Sequence, residues 1–174
     1  MRHVSPVLHV RPGVLDRRKG LVHAALRCAL GRGGTTPAAL KREGDGKTPL
    51  GDYRIVELRY RPDRMMRPRT RLPVKALRPC DGWCDDPRDR RYNRPVRLPI
   101  RASFERMWRD DGLYDVVVVL DHNQRPRIPG RGSAIFLHVA HDGLQPTEGC
   151  VALPLAALRR IVARLGPGAR LKIG

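Results

Sequence analysis

A histidine and a cysteine in the C-terminal part of the chain have the residue types and spacing for nucleophilic catalysis. His138 stands in an apolar segment, Ser133–Val139, and Cys150 follows 12 residues later in Thr147-Glu148-Gly149-Cys150. A thiol needs a nearby base or positive charge to become a thiolate near neutral pH, and histidine is the usual base. Gly149 permits a sharp turn and close substrate approach, and the backbone N–H groups around it are suited to stabilising an oxyanion.

Two other interpretations of the same residues remain open at this point. A cysteine after glycine is often a small core residue, and a strand histidine is often a buried, hydrogen-bonded one. His138, His141 and Cys150 would be three zinc ligands, but no fourth ligand stands at a characteristic spacing. We therefore predict no metal site and no organic cofactor.

Two segments of the chain resemble the L,D-transpeptidase (YkuD-type) catalytic domain family. Ile135-Phe136-Leu137-His138, followed by Thr147-Glu148-Gly149-Cys150, is similar to the family's His…(Ser/Thr)-x-Gly-Cys signature. Upstream, Thr48-Pro49-Leu50-Gly51-Asp52-Tyr53 resembles its Thr-Pro-x-Gly-x-aromatic element. The resemblance extends over residues 45–174 in the family's order, and it implies a β-rich fold.

The resemblance also implies a mechanism and a substrate class. Cys150 would form a thioester acyl-enzyme, and His138 would act as general base and then as acid. The Val139 carbonyl would orient the histidine ring, and the Gly149 backbone would contribute to the oxyanion hole. The acyl donor would be a peptidoglycan stem peptide, and transfer to an amine, a D-amino acid or water would give cross-links, exchange or hydrolysis.

Two positions depart from the family's usual signature, which has histidine and arginine where this chain has Glu148 and Ala152. The arginine is associated with a substrate carboxylate, so we expect Arg131 and the arginine-rich stretch 88–97 to supply that charge. We expect Glu148 to point away from the thiol or to pair with an arginine. The candidate substrate-binding residues are Arg131, Tyr92, Asn93, His141 and Thr147.

The chain is strongly basic, with 35 Lys+Arg against 17 Asp+Glu and a formal net charge of +18. The excess is greatest in residues 54–109, where arginines alternate with proline and aspartate rather than following a nucleic-acid-binding pattern. We predict that nucleic acid is not a partner. The alternative function is a non-catalytic basic module of the same fold that binds peptidoglycan or nucleic acid.

The N-terminal residues contain no apolar segment typical of a secretory signal, and the longest apolar run, Val116–Leu120, is too short to span a membrane. The inferred substrate nevertheless suggests the cell envelope or periplasm, and a cytoplasmic location stays open. The length is typical of a single domain over residues 1–174. We expect the protein to be a monomer.

The elements that must position these residues follow from the apolar pattern. We predict an α+β class that is mostly β, a sandwich or barrel with a few short helices. Pro49 is expected to exclude a central strand at its position. Residues 61–101 are expected to form a long surface excursion that carries only short strands. Strands are predicted around 7–10, 53–58, 114–121, 133–139 and 170–173, and helices over 102–109 and 154–165.

Overall fold

The structure is a computed structural model that describes residues 6–13, 19–22 and 26–174. In this part of the chain the one α-helix, α1, spans Leu155–Val162, and short 3-10 turns span Ala38–Leu40 and Asp142–Leu144. The strands are β1 (Val7–Pro12), β2 (Lys19–Val22), β3 (Leu26–Ala29), β4 (Thr35–Pro37), β5 (Thr48–Tyr60), β6 (Val74–Ala76), β7 (Asp81–Cys84), β8 (Arg94–Arg97), β9 (Phe104–Arg106), β10 (Val116–Leu120), β11 (Phe136–Val139), β12 (Val151–Leu153) and β13 (Arg170–Ile173).

Ten strands form one sheet, in the order β10-β11-β12-β3-β2-β1-β13-β5-β4, with β6 paired to β5. Strand β5 is long enough to pair with β13 through Gly51–Arg54 and with β10 through Ile55–Tyr60. Because β10 also pairs with β11, the sheet curls back on itself. The predicted class, mostly β with few helical residues, is confirmed.

Strand β10 is buried on both faces, which explains its uninterrupted apolar sequence. Successive residues of a strand point to opposite faces, so the run divides between two apolar clusters. The inner cluster of the curled sheet takes Val116, Val118 and Leu120. The outer cluster takes Val117 and Val119, together with Phe136 of β11 and Cys150. The candidate nucleophile therefore lies on the outer face.

A separate three-stranded antiparallel sheet, in the order β8-β7-β9, covers part of this outer face. Trp83 of β7 packs edge-to-face on Phe136, with 5.1 Å between ring centroids. The strands β6, β7 and β8 within residues 61–101 are short, as expected, but the stretch is not confined to the surface, because every residue of β7 is buried. The predicted helix over 102–109 is wrong, because Phe104–Arg106 instead pairs with β7. Its apolar spacing looked helical, but cross-strand pairing decided the local structure.

Pro49 was expected to exclude a central strand at its position, and it pairs with an edge strand, although it does lie within β5. Strand β5 already begins at Thr48, and Pro49 pairs with Thr36 of the three-residue edge strand β4. Proline is tolerated near strand ends and beside edge strands, where the missing N–H leaves few ladder bonds unmade.

The C-terminal elements agree with the sequence, although helix α1 and strand β11 are shorter than predicted. Helix α1 buries Leu158, Ile161 and Val162 against the inner cluster. Strand β11 starts at Phe136 rather than at residue 133. Strand β13 lies between β1, to which it is parallel, and β5, to which it is antiparallel. Among the described residues there is no helix of the length and apolarity that a membrane crossing needs.

Candidate active site

The parallel strands β11 and β12 place His138 and Cys150 on the same face of the sheet. His138 pairs with Ala152, and Cys150 precedes Ala152 by two residues, so their side chains point the same way. Both residues line one cleft of about 460 Å³, and Ala152 lines it too. A fixed sheet register thus brings the predicted nucleophile and base to the same cavity.

The Cys150 thiol is nearly buried, with 8% of the residue exposed. It donates to the carbonyl of Ala134 (3.2 Å), and the Phe136 N–H donates to its sulfur (3.3 Å). Burial raises the pKa of Cys150 to about 12, although the Phe136 N–H opposes this shift. At neutral pH the resting residue is therefore a neutral thiol and not the thiolate that a neighbouring histidine would suggest.

The His138 ring is held in one tautomer by its own backbone. Its Nδ1 lies 2.8 Å from the Val139 carbonyl oxygen, which can only accept a hydrogen bond, so Nδ1 carries the proton. Nε2 is then free of a proton and is suited to act as a base. Burial lowers the pKa of His138 to about 4, which keeps the ring neutral. The Tyr114 ring packs edge-on against it, at 5.3 Å between centroids.

The loop before Cys150 is ordered by the Thr147 side chain. Its hydroxyl donates to the Cys150 carbonyl (2.7 Å) and accepts the Gly149 N–H (3.1 Å). Gly149 has a φ of 136°, and a Cβ atom at this position would lie 2.9 Å from the Lys47 carbonyl oxygen. A side chain is therefore excluded at Gly149 by both the backbone conformation and the close approach.

Thr48, in the first of the two resembling segments, reaches the same loop. This residue is fully buried, accepts the Gly31 N–H (2.7 Å) and lies 3.5 Å from the Cys150 carbonyl oxygen, to which it donates. Two threonine hydroxyls from distant parts of the chain thus converge on one carbonyl. Thr48 and Thr147 position the nucleophile loop from opposite sides.

Glu148 points away from the thiol, as expected from the sequence. Its carboxylate accepts from Arg32 Nε (2.8 Å), and both side chains are largely exposed. The charge that stands next to Cys150 in the sequence is therefore directed to solvent and neutralised there.

Some of the predicted substrate-binding residues line the cleft, and others lie outside it. His141 and Thr147 line the cleft. The Arg131 guanidinium instead donates to the Ala39 carbonyl, outside the cleft lining. Tyr92 is buried, and its hydroxyl donates to Glu43, which does line the cleft.

Asn93 is buried behind the cleft wall, and its amide is fully used. Its Oδ1 accepts from Trp83 Nε1 (2.9 Å) and from the Ala134 N–H (3.2 Å). Its Nδ2 donates to the carbonyls of His122 (3.0 Å) and Asn123 (2.9 Å). Ala134 has a φ of 50°, a left-handed conformation unusual for alanine, and its carbonyl accepts the thiol. Asn93 therefore holds the nucleophile's neighbour in place.

The charged residues that line the cleft were, apart from Glu148, missed by sequence reasoning. They are four carboxylates and two cations: Glu43, Asp85, Glu105, Glu148, Lys41 and Arg109. Asp85 and Glu105 stand on neighbouring parts of the separate sheet, and only its strand pairing brings them to the cleft. No local sequence pattern marks them, because their proximity depends on that pairing.

Two of these carboxylates have unusual surroundings. Asp85 Oδ1 is buried and has no hydrogen-bond partner among the residues that the structure describes. Burial raises the pKa of Glu105, and the nearby Asp85 charge adds to this, while Arg109, which donates to Glu105 at 2.8 Å, opposes it. The cleft thus presents acceptor oxygens that the protein itself leaves partly unsatisfied.

Within the described part of the chain, no group of three or more His, Cys, Asp and Glu side chains is arranged to hold a metal ion. Residues 13–173, nearly the whole chain, match the family model of the L,D-transpeptidase catalytic domain (YkuD). No curated protein and no solved structure gives a significant match to the chain.

Proposed function

The chain belongs to the L,D-transpeptidase catalytic domain family, as its motifs indicate, and from this premise we propose that it is a cysteine acyltransferase acting on peptidoglycan stem peptides. One observation carries the proposal most directly. His138 and Cys150 lie on one face of two paired strands, line the same cleft, and belong to the segments that match the family. A merely structural cysteine and histidine would not need to share a cavity.

Because the Cys150 thiol and the His138 ring are both neutral at rest, the first step must include a proton transfer from the thiol. The thiol loses its proton only when an acceptor becomes available, and His138 Nε2 is an unprotonated ring nitrogen of a cleft residue. Cys150 attacks the peptide carbonyl as its proton passes to His138, which then protonates the leaving amine. The peptide C–N bond breaks, the thioester C–S bond forms, and His138 is neutral again.

The second step transfers the acyl group from Cys150 to an acceptor. An attacking amine or water gives a proton to His138, and the thiolate leaving from the thioester takes that proton back. The buried site favours this exchange, because an isolated thiolate and imidazolium would both be costly there. Backbone N–H groups near Gly149 and Cys150 are the proposed oxyanion donors. The Gly149 N–H must first exchange its bond with Thr147 for one with the substrate oxygen.

The charge of the cleft lining favours an amine as acceptor. With Glu148 left out, because Arg32 neutralises it at the solvent side, its carboxylates outnumber its cations by three to two, and among the described residues Asp85 Oδ1 has no hydrogen-bond partner. A protonated amine is attracted to such a lining, and it becomes nucleophilic when a carboxylate takes its proton. We therefore expect more amide than free acid when an amine-bearing peptide competes with water, which the product ratio measures.

The expectation that positive charge from Arg131 or from residues 88–97 meets a substrate carboxylate in the cleft has no support in this lining. Arg109 is the arginine that lines it, and its guanidinium is occupied by Glu105 (2.8 Å) and Asp111 (2.5 Å). A substrate carboxylate would have to displace these bonds. Because the family acts on peptidoglycan, we propose the cell envelope as the place of action.

The decisive experiment is the mass of the intact protein after incubation with a carbapenem, which resembles the acyl donor. We expect one adduct on the wild type and none on Cys150→Ala. Cys80→Ala is the matched control, because Cys80 is a free, partly exposed thiol outside the cleft, and it should keep the adduct. An adduct of equal yield on Cys150→Ala would refute the assignment of the nucleophile. Muropeptide turnover that survives this substitution would refute the function.

A further inference from the structure

A second concave surface lies outside the catalytic cleft. It has a volume of about 540 Å³, within the range of ligand sites, and it lies between the β5–β6 pair and strands β7 and β8. We call it the basic groove and define it by its charged lining residues, Arg59, Lys75, Arg78, Asp81 and Arg97. It shares no lining residue with the catalytic cleft.

One carboxylate behind the groove serves two of its cations. Glu57 accepts from Arg59 (2.6 Å) through Oε1 and from Lys75 (2.6 Å) through Oε2. Burial acts to raise the pKa of Glu57, but the two cations outweigh it and the pKa is lowered. Glu57 is therefore ionised, and it neutralises only one of the two positive charges.

The other carboxylate is likewise shared. Asp81 pairs with Arg97 through Oδ1 (2.6 Å) and accepts the backbone N–H of Arg78 through Oδ2 (2.9 Å). Within the described ranges the Arg78 guanidinium makes no ion pair, so its charge is uncompensated. Four cations thus meet two carboxylates around the groove, which leaves an excess of two positive charges.

The cations differ in exposure in a way that suits a binding site. Arg59 is buried at 6% exposure, and its guanidinium lies 5.4 Å from the centroid of the Trp83 ring, which fixes it at the base. The Lys75 and Arg97 side chains are 61% and 57% exposed, so their charged ends are accessible to a ligand. A rigid base with an accessible rim lowers the entropic cost of binding.

We propose that the basic groove binds a doubly charged oxyanion group, carried either by a phosphate monoester or by two neighbouring carboxylates. A charge of −2 neutralises the excess of two, whereas chloride or a single carboxylate would leave part of it. Guanidinium groups match oxyanions with paired N–H donors, and three of the four cations are arginines. The site does not depend on the chemistry proposed for Cys150.

The test is a calorimetric titration of the full chain at constant ionic strength with phenyl phosphate and, separately, with succinate. We expect saturable binding of one molecule of at least one ligand, and about tenfold weaker binding by Arg78→Gln. Arg160→Gln is the matched control, because it removes the same charge from an exposed position on helix α1. Circular dichroism checks that each variant is folded.

The outcomes distinguish the two kinds of ligand and decide whether the proposal holds. Binding of phenyl phosphate alone identifies a phosphate ligand, and binding of succinate alone identifies paired carboxylates. Failure of both ligands to bind the wild type would overturn the proposal. So would equal affinities for Arg78→Gln, Arg97→Gln and Arg160→Gln. The carbapenem adduct on Cys150 is an independent readout, and it should persist in all three variants.

Discussion

The catalytic cleft and the basic groove border the same three-stranded sheet but carry opposite charge. The cleft is lined by four carboxylates and two cations, whereas the groove is lined by four cations and one carboxylate. Trp83 of that sheet links them physically, since its ring meets Phe136 beside Cys150 and also the Arg59 guanidinium. One small sheet thus separates two environments suited to ligands of opposite sign.

The difference shows how little a net charge says about a particular site. The chain carries +18, yet its proposed catalytic cleft is lined by a local excess of negative charge. Charges farther away than about 10 Å are largely screened at physiological salt, so the lining dominates what a bound group experiences. The basic character of the chain is concentrated instead in places such as the groove.

The largest expected effect tests whether the two sites are independent. Cys150→Ala should lower peptidoglycan turnover about a thousandfold or more, because it removes the proposed nucleophile. It should leave the affinity of the groove for its anion unchanged. Cys80→Ala is the converse control, because it removes the sulfur to which Arg97 of the groove donates (3.3 Å) and leaves Cys150 in place. Peptidoglycan turnover should therefore be retained in this variant, and any change should be confined to the groove. A large change in groove affinity on Cys150→Ala would show that the sites are coupled.

The second prediction concerns the pH dependence of stability, to which His138 of the cleft contributes and the arginines of the groove do not. His138 has a pKa of about 4 in the folded protein and about 6.5 when unfolded, so the unfolded chain binds the extra proton between these values. Stability should therefore fall as the pH drops from about 6.5 to 4, by on the order of 3 kcal/mol from this residue.

The measurement is the free energy of unfolding in urea across that pH range. His138→Gln should reduce this dependence by about half, because burial also lowers the pKa of His122 to about 4, whereas the variant of exposed His141, His141→Gln, should retain it. An unchanged slope in His138→Gln would contradict a buried, neutral His138. The arginines of the groove do not titrate in this range, so they add no slope of their own.

The third prediction asks whether the cleft can be altered from behind, through Asn93. Asn93→Ala should lower the free energy of unfolding by about 2 kcal/mol, because it leaves buried partners unsatisfied. It should also lower kcat, since the Ala134 carbonyl loses its support. Gln124→Ala, which removes one hydrogen bond to the Leu120 carbonyl, is the control in the same urea assay. Equal losses in both variants would contradict a special role for Asn93.

The smallest expected effect concerns the acceptor. Asp85→Asn should lower the ratio of amide to free acid product about fivefold, because it removes one of the carboxylates that attract an amine. The adjacent Asp86→Asn should leave the ratio unchanged, since Asp86 accepts from Arg88 and does not line the cleft. A ratio that does not respond to Asp85→Asn would mean that the lining does not select the acceptor.

The sequence was sufficient to predict those features that depend on local pattern. His138 and Cys150 stand in short segments whose order and spacing are characteristic, and the apolar run of β10 is visible without any structure. The Val139 carbonyl was expected to orient the ring, and it lies 2.8 Å from Nδ1. In these cases neighbours in the sequence are also neighbours in space.

The features that were missed depend on pairing between distant strands. Glu105 was placed in a helix by its apolar neighbours, and only the register of β9 against β7 puts it opposite Trp83. Asn93 was expected to contact substrate, yet its amide is used up within the protein because the loops around it close over it. Side-chain direction in such a region follows from packing, which spacing along the chain does not reveal.

The position of β13 has a consequence for how the protein is made. This strand lies in the interior of the sheet, between β1 and β5, although it follows all the other described strands in sequence, at Arg170–Ile173. The curled sheet therefore cannot be completed on the ribosome before residue 173 has left the exit tunnel. Until then β1 and β5 expose unpaired edges, which are prone to intermolecular association. Chains that lack β13 should consequently aggregate rather than fold into enzyme.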